Sequence, residues 1–376
     1  MRCSLSSHQF AAGLSAVARV VSPRATLPIL SNVLIEARDG AVHLLATNLD
    51  LTIRHQLPAK IDEPGSITLP AKILSEFVAA LPDGPMEWQL DATSQTVALR
   101  SGPYTAHIRG IDAAEFPPLP VLDGGARVPL DPITFATATE QTVVAASVDE
   151  GRPLYTGVLT ELADSILTLV ATDGHRLAIR QLGVPGTVAG AKTSVIVPAR
   201  ALAELGRLLR PQGGDSPGPL ALHLSQNGTQ VTFELPGYEL TTRLLEGTYP
   251  NYSKVVPEGA QTTIRTNTKE FLRTTRVVAL FARDAANVVK IRSDPGMLTL
   301  SANTNEVGDN VATMPATIDG EQLAIAFNAR YLLDVLQILQ TEEVELVCNG
   351  SLAPGLIRPV GDDSYRYVIM PVRVAL

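Results

Sequence analysis

Cysteine is nearly absent from this chain: Cys3 and Cys348 are the only two in 376 residues, at opposite ends of the sequence. That excludes a disulfide framework and a zinc knuckle, and it fits a reducing compartment, so a cytoplasmic protein is expected. No apolar run approaches the ~20 residues of a membrane span, so no membrane partner is expected. The opening stretch MRCSLSSHQFAAGLSAVARVV spaces its apolar residues where a signal peptide would cluster them. A glycine-rich phosphate loop, HExxH, GxSxG and CxxC are all missing. The six histidines (8, 43, 55, 107, 175, 223) are scattered, with none at ligand spacing to another. Neither a metal nor a cofactor is expected, and nothing supports an enzyme. Positive charge is short as well. Thirty Lys and Arg face 38 Asp and Glu, a net charge of −8, which as a bulk figure argues against a nucleic-acid partner.

What the chain does have is length and internal repetition. At 376 residues and 45% apolar it is long enough for two or three domains with sizeable cores. LLATNLDL (44–51), LVATDGHRLA (169–178) and LSANTNEV (300–307) share one pattern, marked by Ala46, Ala171 and Ala302. A second triplet is TLPAKILSEFVAAL (68–81), IVPARALAELGRLL (196–209) and AFNARYLLDVLQIL (326–339), marked by Ala71, Ala199 and Ala329. Turn signals fall in step at RDGA (38–41), ADSI (163–166) and SDPGM (293–297), and the repeats close on EFPPLP, TYPNY and VIMPVR. Four landmarks in one order at nearly one period mean three homologous domains. We place them at 1–122, 123–255 and 256–376, joined through the Pro-rich stretches 117–132 and 250–257.

Each repeat reads as two similar halves. Phe10, Leu14, Val17 and Val21 fall on one helical face, and Phe135 and Phe271 open the matching helices of the other repeats. A period-2 hairpin follows, then a second helix led by Pro70, Pro198 or Asn328, then more strands. The expected unit is roughly strand–helix–strands, used twice per domain and six times per chain, an α+β architecture. The expected helices span 6–24, 71–81, 132–148, 198–210, 268–283 and 328–340. Together they carry +6, which leaves −14 for the rest of the chain. Arginine-bearing helices on an acidic protein give one positive face while the remainder stays soluble. A protein–protein scaffold that never meets DNA gives no reason for that segregation.

VATDGHRLAI (170–179) puts Asp173 and His175 two apart beside a strand, with Gly174 between them and Arg176 next. Three readings stay open: a turn, a binding pocket, or a catalytic pair. Catalysis ranks last, because one His and one Asp supply neither nucleophile nor oxyanion donors. The other two repeats read ATNLDL and SANTNE at this place, without histidine. A scaffold role is expected in every copy, whereas a site can belong to one.

Three repeats of this length, ATDGHRLA in the middle one alone, YPNY closing it and a terminal YVIMPVR resemble the bacterial sliding clamp family, the beta subunit of DNA polymerase III. The likeness covers essentially the whole chain. It implies a DNA clamp fold of three domains, each two βαβββ units with helices inside and sheets outside, forming half of a ring. The ring would be a homodimer that encircles duplex DNA without reading sequence and has no catalytic activity. Partners implied are the DNA polymerase III alpha subunit, the clamp loader, other DNA polymerases, ligase and mismatch-repair proteins, bound through short linear motifs.

The same resemblance assigns residues. A peptide-binding pocket would comprise Thr172, Gly174, His175, Arg176 and Leu177 with Pro250, Lys254 and Val255, and Val368, Met370, Val372 and Arg373 on one side. Asn328, Tyr331, Leu352 and Pro354 would form a neighbouring subsite. Phosphate contacts would come from Arg24, Lys72, Arg200, Arg207, Arg210 and Arg276. A dimer boundary is expected between Tyr104, Ala106 and Ile108 and the segment Val278, Leu280 and Phe281. The chain also departs from the family. Tyr155, also expected in the pocket, stands where an aliphatic residue is usual, Lys254 where arginine is common and Val372 where methionine is frequent. Ala375 and Leu376 run past the usual end, and Asp149 and Glu150 add negative charge to a loop. These departures point to a pocket that ranks its partners differently, as a specialised second clamp would.

Overall fold

The computed structural model describes residues 1–21, 27–118, 126–185, 192–210, 218–283, 286–304 and 308–373. Its α-helices are α1 (Ser7–Val17), α2 (Ala71–Ala79), α3 (Pro132–Val143), α4 (Ala199–Leu208), α5 (Thr268–Ala279) and α6 (Ala329–Ile338). All six expected helices form, but they stop early. Side-chain caps explain three of the starts: Ser6 accepts from Gln9 N, Asn267 from Glu270 N and Asn328 from Arg330 N. Pro70 occupies the N-cap of α2 rather than its first turn, at φ −57°, which its ring already favours. Over the observed helices the charge excess falls from +6 to +2, because Arg19, Arg210 and Arg283 lie past the α-helix ends and Arg24 lies outside the described residues. None of the helices is long and apolar enough to cross a membrane.

The βαβββ expectation holds in each repeat, with short extra strands at Lys60–Glu63 and Thr317–Gly320. Within a repeat the halves exchange their first strands: Arg2–Ser6 pairs with Pro85–Asp91, and Gly65–Pro70 pairs with Asn32–Arg38. The hairpin turns are of the tight kind foreseen. Asp39 and Gly40 both take positive φ, as do Asp164 and Ser165, which matches the twist of the flanking strands.

By contacts the chain divides into two compact units, Met1–Ile133 with Arg207–Leu244, and Thr134–Gly206 with Leu245–Leu376. The first holds an eight-stranded sheet that runs from the middle repeat into the first, joined where Tyr238–Arg243 lies antiparallel to Leu51–Pro58. The second holds a nine-stranded sheet in which Arg176–Gly183 of the middle repeat pairs with Tyr365–Ile369 of the third. The two joints are the same joint used twice. The third strand of a repeat's first half meets the last strand of the next repeat. Helices pack on one face of these sheets: Phe10, Leu14 and Val17 of α1 are fully buried, and the Phe10 ring meets Trp88 at 4.8 Å between centroids.

The first joint carries a buried histidine. The His55 ring stacks on Tyr238 at 3.8 Å and its Nδ1 bonds the Gly237 carbonyl at 2.8 Å. A Cβ on Gly13 of α1 would sit 2.3 Å from this ring, so only glycine lets α1 approach. Burial holds the His55 pKa below its ordinary value against the opposing Gly237 bond, and burial with nearby Arg38 lowers that of His43. A lowered folded pKa means that the neutral ring is the one that fits. This stability is complete above the unfolded value of about 6.5 and is lost as pH falls below it. The melting temperature is therefore expected to fall between pH 7.5 and 5.5, and His55→Gln to flatten that slope. An equally steep fall in the variant would count against the assignment.

Candidate functional site

The segment that raised the first question is a turn, and its chemistry is explicit. Thr172 Oγ1 donates to the Arg176 carbonyl at 2.6 Å and accepts from Gly174 N at 3.0 Å. Asp173 Oδ1 accepts from His175 N at 2.8 Å and Arg176 N at 3.0 Å. The first repeat builds the same turn with other letters. Thr47 Oγ1 donates to the Leu51 carbonyl and accepts from Leu49 N, while Asn48 Oδ1 accepts from Asp50 N and Leu51 N. Asp173 is thus the middle repeat's version of a shared scaffold. Its carboxylate is committed to two backbone donors and one guanidinium, and it makes no pair with the His175 ring. The catalytic reading is withdrawn on that geometry.

What the middle repeat adds is Gly174, His175 and Arg176. Gly174 sits at φ +93°, and a Cβ there would meet only Arg152 Nη1, at 3.4 Å. Arg152 donates from Nη2 to the Asp173 carbonyl at 2.9 Å and lies over the Tyr155 ring at 4.8 Å, which ties the turn to that ring. The His175 ring stacks near Tyr331 at 6.4 Å. Arg176 is the hub. Its Nε donates to Asp173 Oδ2 at 3.0 Å, and its Nη1 donates to Asp334 Oδ2 of α6 and to the Tyr367 hydroxyl at 3.4 Å. Its guanidinium also lies 4.5 Å from the Tyr331 ring centroid. Burial opposes this charge, but Tyr367 and Asp334 more than offset it and raise the Arg176 pKa above its ordinary value.

Beside this turn opens a mainly apolar cavity of about 230 Å³, lined by Tyr155, Thr172, Gly174, Arg176, Leu177, Pro250, Asn251, Tyr252, Val255, Val368 and Met370. Its floor belongs to a core cluster that includes Leu159, Val170, Leu177, Ile179 and Val368, so its shape is set by packed strands. Tyr252 donates to Glu161 Oε2 at 3.0 Å, and burial followed by that carboxylate pushes its phenol up to about 12. The cavity combines apolar walls with few polar groups, the pattern of a site for an extended apolar segment.

Nine of the expected pocket residues are brought together here, and Asn251 and Tyr252 were missed although both stand in the quoted YPNY. The others lie elsewhere. Lys254 is exposed in the short helical turn Ser253–Val255, outside the lining. His175 is behind the turn against Tyr331. Asn328 caps α6, Leu352 is 70% exposed, and Pro354 is half-buried. Val372 and Arg373 border a different cavity, of about 700 Å³, with Ala286, Val288, Lys290 and Val311. The cause is the backbone. Met370 N donates to the His175 carbonyl and Val372 N to the Ala326 carbonyl, so the terminal segment leaves the first pocket after Met370. Residues 375 and 376 lie outside the described residues.

Of the basic candidates, Lys72, Arg200, Arg207, Arg210 and Arg276 are all exposed, and Arg24 lies outside the described residues. The boundary segments divide. Tyr104–Arg109 is the edge of a five-stranded sheet, with Tyr104 49% exposed and Ile108 buried. Val278 needs correcting: it is fully buried on the core face of α5, while Val277 and Leu280 are exposed and Phe281 is half-buried. The buried stripe of α5 runs Thr268, Phe271, Thr275, Val278, so counting seven on from Phe271 would have found it. The exposed strand edge of the third repeat is Gly308–Pro315, in a four-stranded sheet.

No group of three or more His, Cys, Asp or Glu among the described residues could hold a metal. Both cysteines are buried, with burial pushing their thiols up to about 11 and 12, so neither is a ready nucleophile.

Three sequence families match the chain in order: DNA polymerase III beta subunit N-terminal domain at residues 1–120, central domain at 129–251 and C-terminal domain at 253–373. The beta sliding clamp of Synechococcus elongatus is 33% identical over 366 residues, 96% of each chain. That of Bacillus subtilis is 32% identical over 386 residues, 99% of this chain and 100% of its own. The B. subtilis sliding clamp crystal structure superposes at a TM-score of 0.92, with both chains fully covered. A Bartonella birtlesii clamp bound to griselimycin, 34% identical, gives 0.91, again with full coverage of both.

Proposed function

This chain belongs to the bacterial sliding clamp family, the non-catalytic beta subunit of DNA polymerase III, and from that premise we propose how its own residues serve the clamp. Two copies close head to tail into a ring around duplex DNA, with domains at 1–122, 123–255 and 256–376. The observation that carries this reading is the joint that the chain already uses twice. Ile53 pairs with Leu240 at the first joint and Ala178 with Tyr367 at the second. Ile53 and Ala178 stand opposite Ala46 and Ala171 in their hairpins, as Asn310 stands opposite Ala302. Tyr238 starts the strand that Tyr104 starts in the first repeat. Carried over, the third joint pairs Gly308–Pro315 with Tyr104–Arg109 of a second copy, Asn310 opposite Ala106. Both edges expose apolar surface, Val311 at 61% and Tyr104 at 49%, which an unpaired edge ordinarily avoids.

The exposed Lys72, Arg200, Arg207, Arg210 and Arg276, with Arg24, would meet phosphates, weakly and without sequence readout, as sliding requires. The cavity at Tyr155, Arg176 and Met370 takes short motifs of the polymerase alpha subunit, the clamp loader, other polymerases, ligase and mismatch-repair proteins. That clamps of this family accept a compact ligand is supported by the griselimycin-bound relatives. Tyr155 and Tyr252 give this pocket two aromatic walls, which suit a specialised partner ranking.

The test has two parts. Ala106→Cys with Asn310→Cys is expected to cross-link two copies under mild oxidation, and either change alone is expected not to, since Cys3 and Cys348 are buried. Loaded by its own clamp loader onto a nicked circular plasmid, the native protein should resist high salt and run off only when the DNA is cut. Binding that falls with salt whatever the DNA topology would leave a surface binder instead.

A further inference from the structure

We propose that Asp334 is a specificity-determining residue of the pocket: by engaging Arg176 it silences the one charged wall and turns the site against segments with an acidic anchor. The inference rests on the partner-peptide reading above and deepens it. Arg176 is the single charged residue of the lining. An arginine at the wall of an apolar groove would ordinarily be a bidentate anchor for a carboxylate. Here that capacity is spent. Asp173 takes Nε, Asp334 and Tyr367 take Nη1, the Tyr331 ring covers one face, and the side chain is only 11% exposed.

Two carboxylates on one guanidinium leave the local charge at −1. With Nε and Nη1 engaged only Nη2 is left, so an incoming carboxylate meets repulsion and finds no free edge for a bidentate contact. Asp334 is not needed to form the turn. Thr172 and Asp173 close it, and the first repeat closes the same turn with Leu51 in the place of Arg176. Asp334 comes instead from α6, far along the chain, and its side chain is 39% exposed, so a neutral substitute leaves no buried charge unpaired on that helix. Its effect on the pocket passes through Arg176, which makes it a positioning residue with an electrostatic output.

The experiment uses the full chain and two labelled hexapeptides with Leu and Phe anchors, identical except that one carries Asp in place of its Leu. Affinities are read by fluorescence anisotropy at low and at 0.5 M salt. The native protein is expected to prefer the Leu peptide. Asp334→Asn is expected to narrow that preference by roughly tenfold, mainly by tightening the Asp peptide, the scale of one charge interaction near a partly exposed site. The narrowing should shrink at high salt. Asp334→Glu should retain the native preference. A preference unchanged in Asp334→Asn, with a native melting temperature, overturns the inference while peptide binding itself stands. If Asp334→Asn melts early, a preference altered equally by Asp334→Glu overturns it in the same way. Failure of the native protein to bind either peptide overturns the partner-binding reading and this inference with it.

Discussion

Arg176→Ala is expected to cost about 3 kcal/mol of folding stability, the low end for removing one partner of a buried ion pair. Two carboxylates and the Tyr367 hydroxyl lose their donor at once. Asp173 is 9% exposed and keeps its two backbone bonds, which is why the higher end is not reached. Asp334 is more open and rehydrates. The Tyr331 ring also loses the cation above it. Urea unfolding gives the loss directly. The internal repeats supply the decisive control, because the first repeat solves the same turn with Asn48 and Leu51. Asp173→Asn with Arg176→Leu imports that solution. The double variant should recover most of what Arg176→Ala loses, since no buried carboxylate is left without its cation. If the double variant is as unstable as the single one, the cost lies in packing and not in the uncompensated Asp173.

The contrast between Asp173 and Arg176 also shows what a sequence of this kind carries on its surface. Landmarks tied to neighbours in the chain were legible: the hairpin turns at Asp39–Gly40 and Asp164–Ser165, and the six helices. Each is fixed by local backbone chemistry that repeats at nearly one period. Interactions that close across the fold were not legible. Nothing near position 176 announces Asp334 or Tyr367, which reach it only because Arg176–Gly183 and Tyr365–Ile369 share a sheet joint. The same holds for Val372, which the Ala326 carbonyl draws away from the pocket. Val278 failed for a different reason. Its place on the buried stripe could be counted from Phe271, but an apolar run of Val277, Val278 and Leu280 hides which side faces the core. Helix ends failed because Arg19, Arg210 and Arg283 continue a basic pattern beyond the last α-helical residue, which overstated the charge on the helices.

Gly174→Leu is expected to separate the pocket from the rest of the protein. The turn accepts a leucine, because Leu49 holds the equivalent position of the first repeat at φ +79°. The backbone conformation is costly for any L-residue, so the loss of stability should be about 1–2 kcal/mol, and the fold should persist. The added Cβ meets only the mobile end of Arg152, so the rest of the side chain grows over the cavity that Gly174 lines. Filling a packed apolar site costs about 1–3 kcal/mol, which at 1.4 kcal/mol per decade weakens peptide binding by roughly ten- to a hundredfold. Cross-linking through Ala106→Cys and Asn310→Cys should be untouched, because neither edge strand belongs to the sheet that carries Arg176–Gly183. Retention on circular DNA should likewise match the native protein once the ring is loaded. Loading itself should slow, since the loader is expected to use the same pocket. A variant that binds peptide at native strength would show that the cavity at Gly174 is not where the partner's anchor sits. A variant that also loses its cross-link would show that the turn supports the ring as well as the pocket.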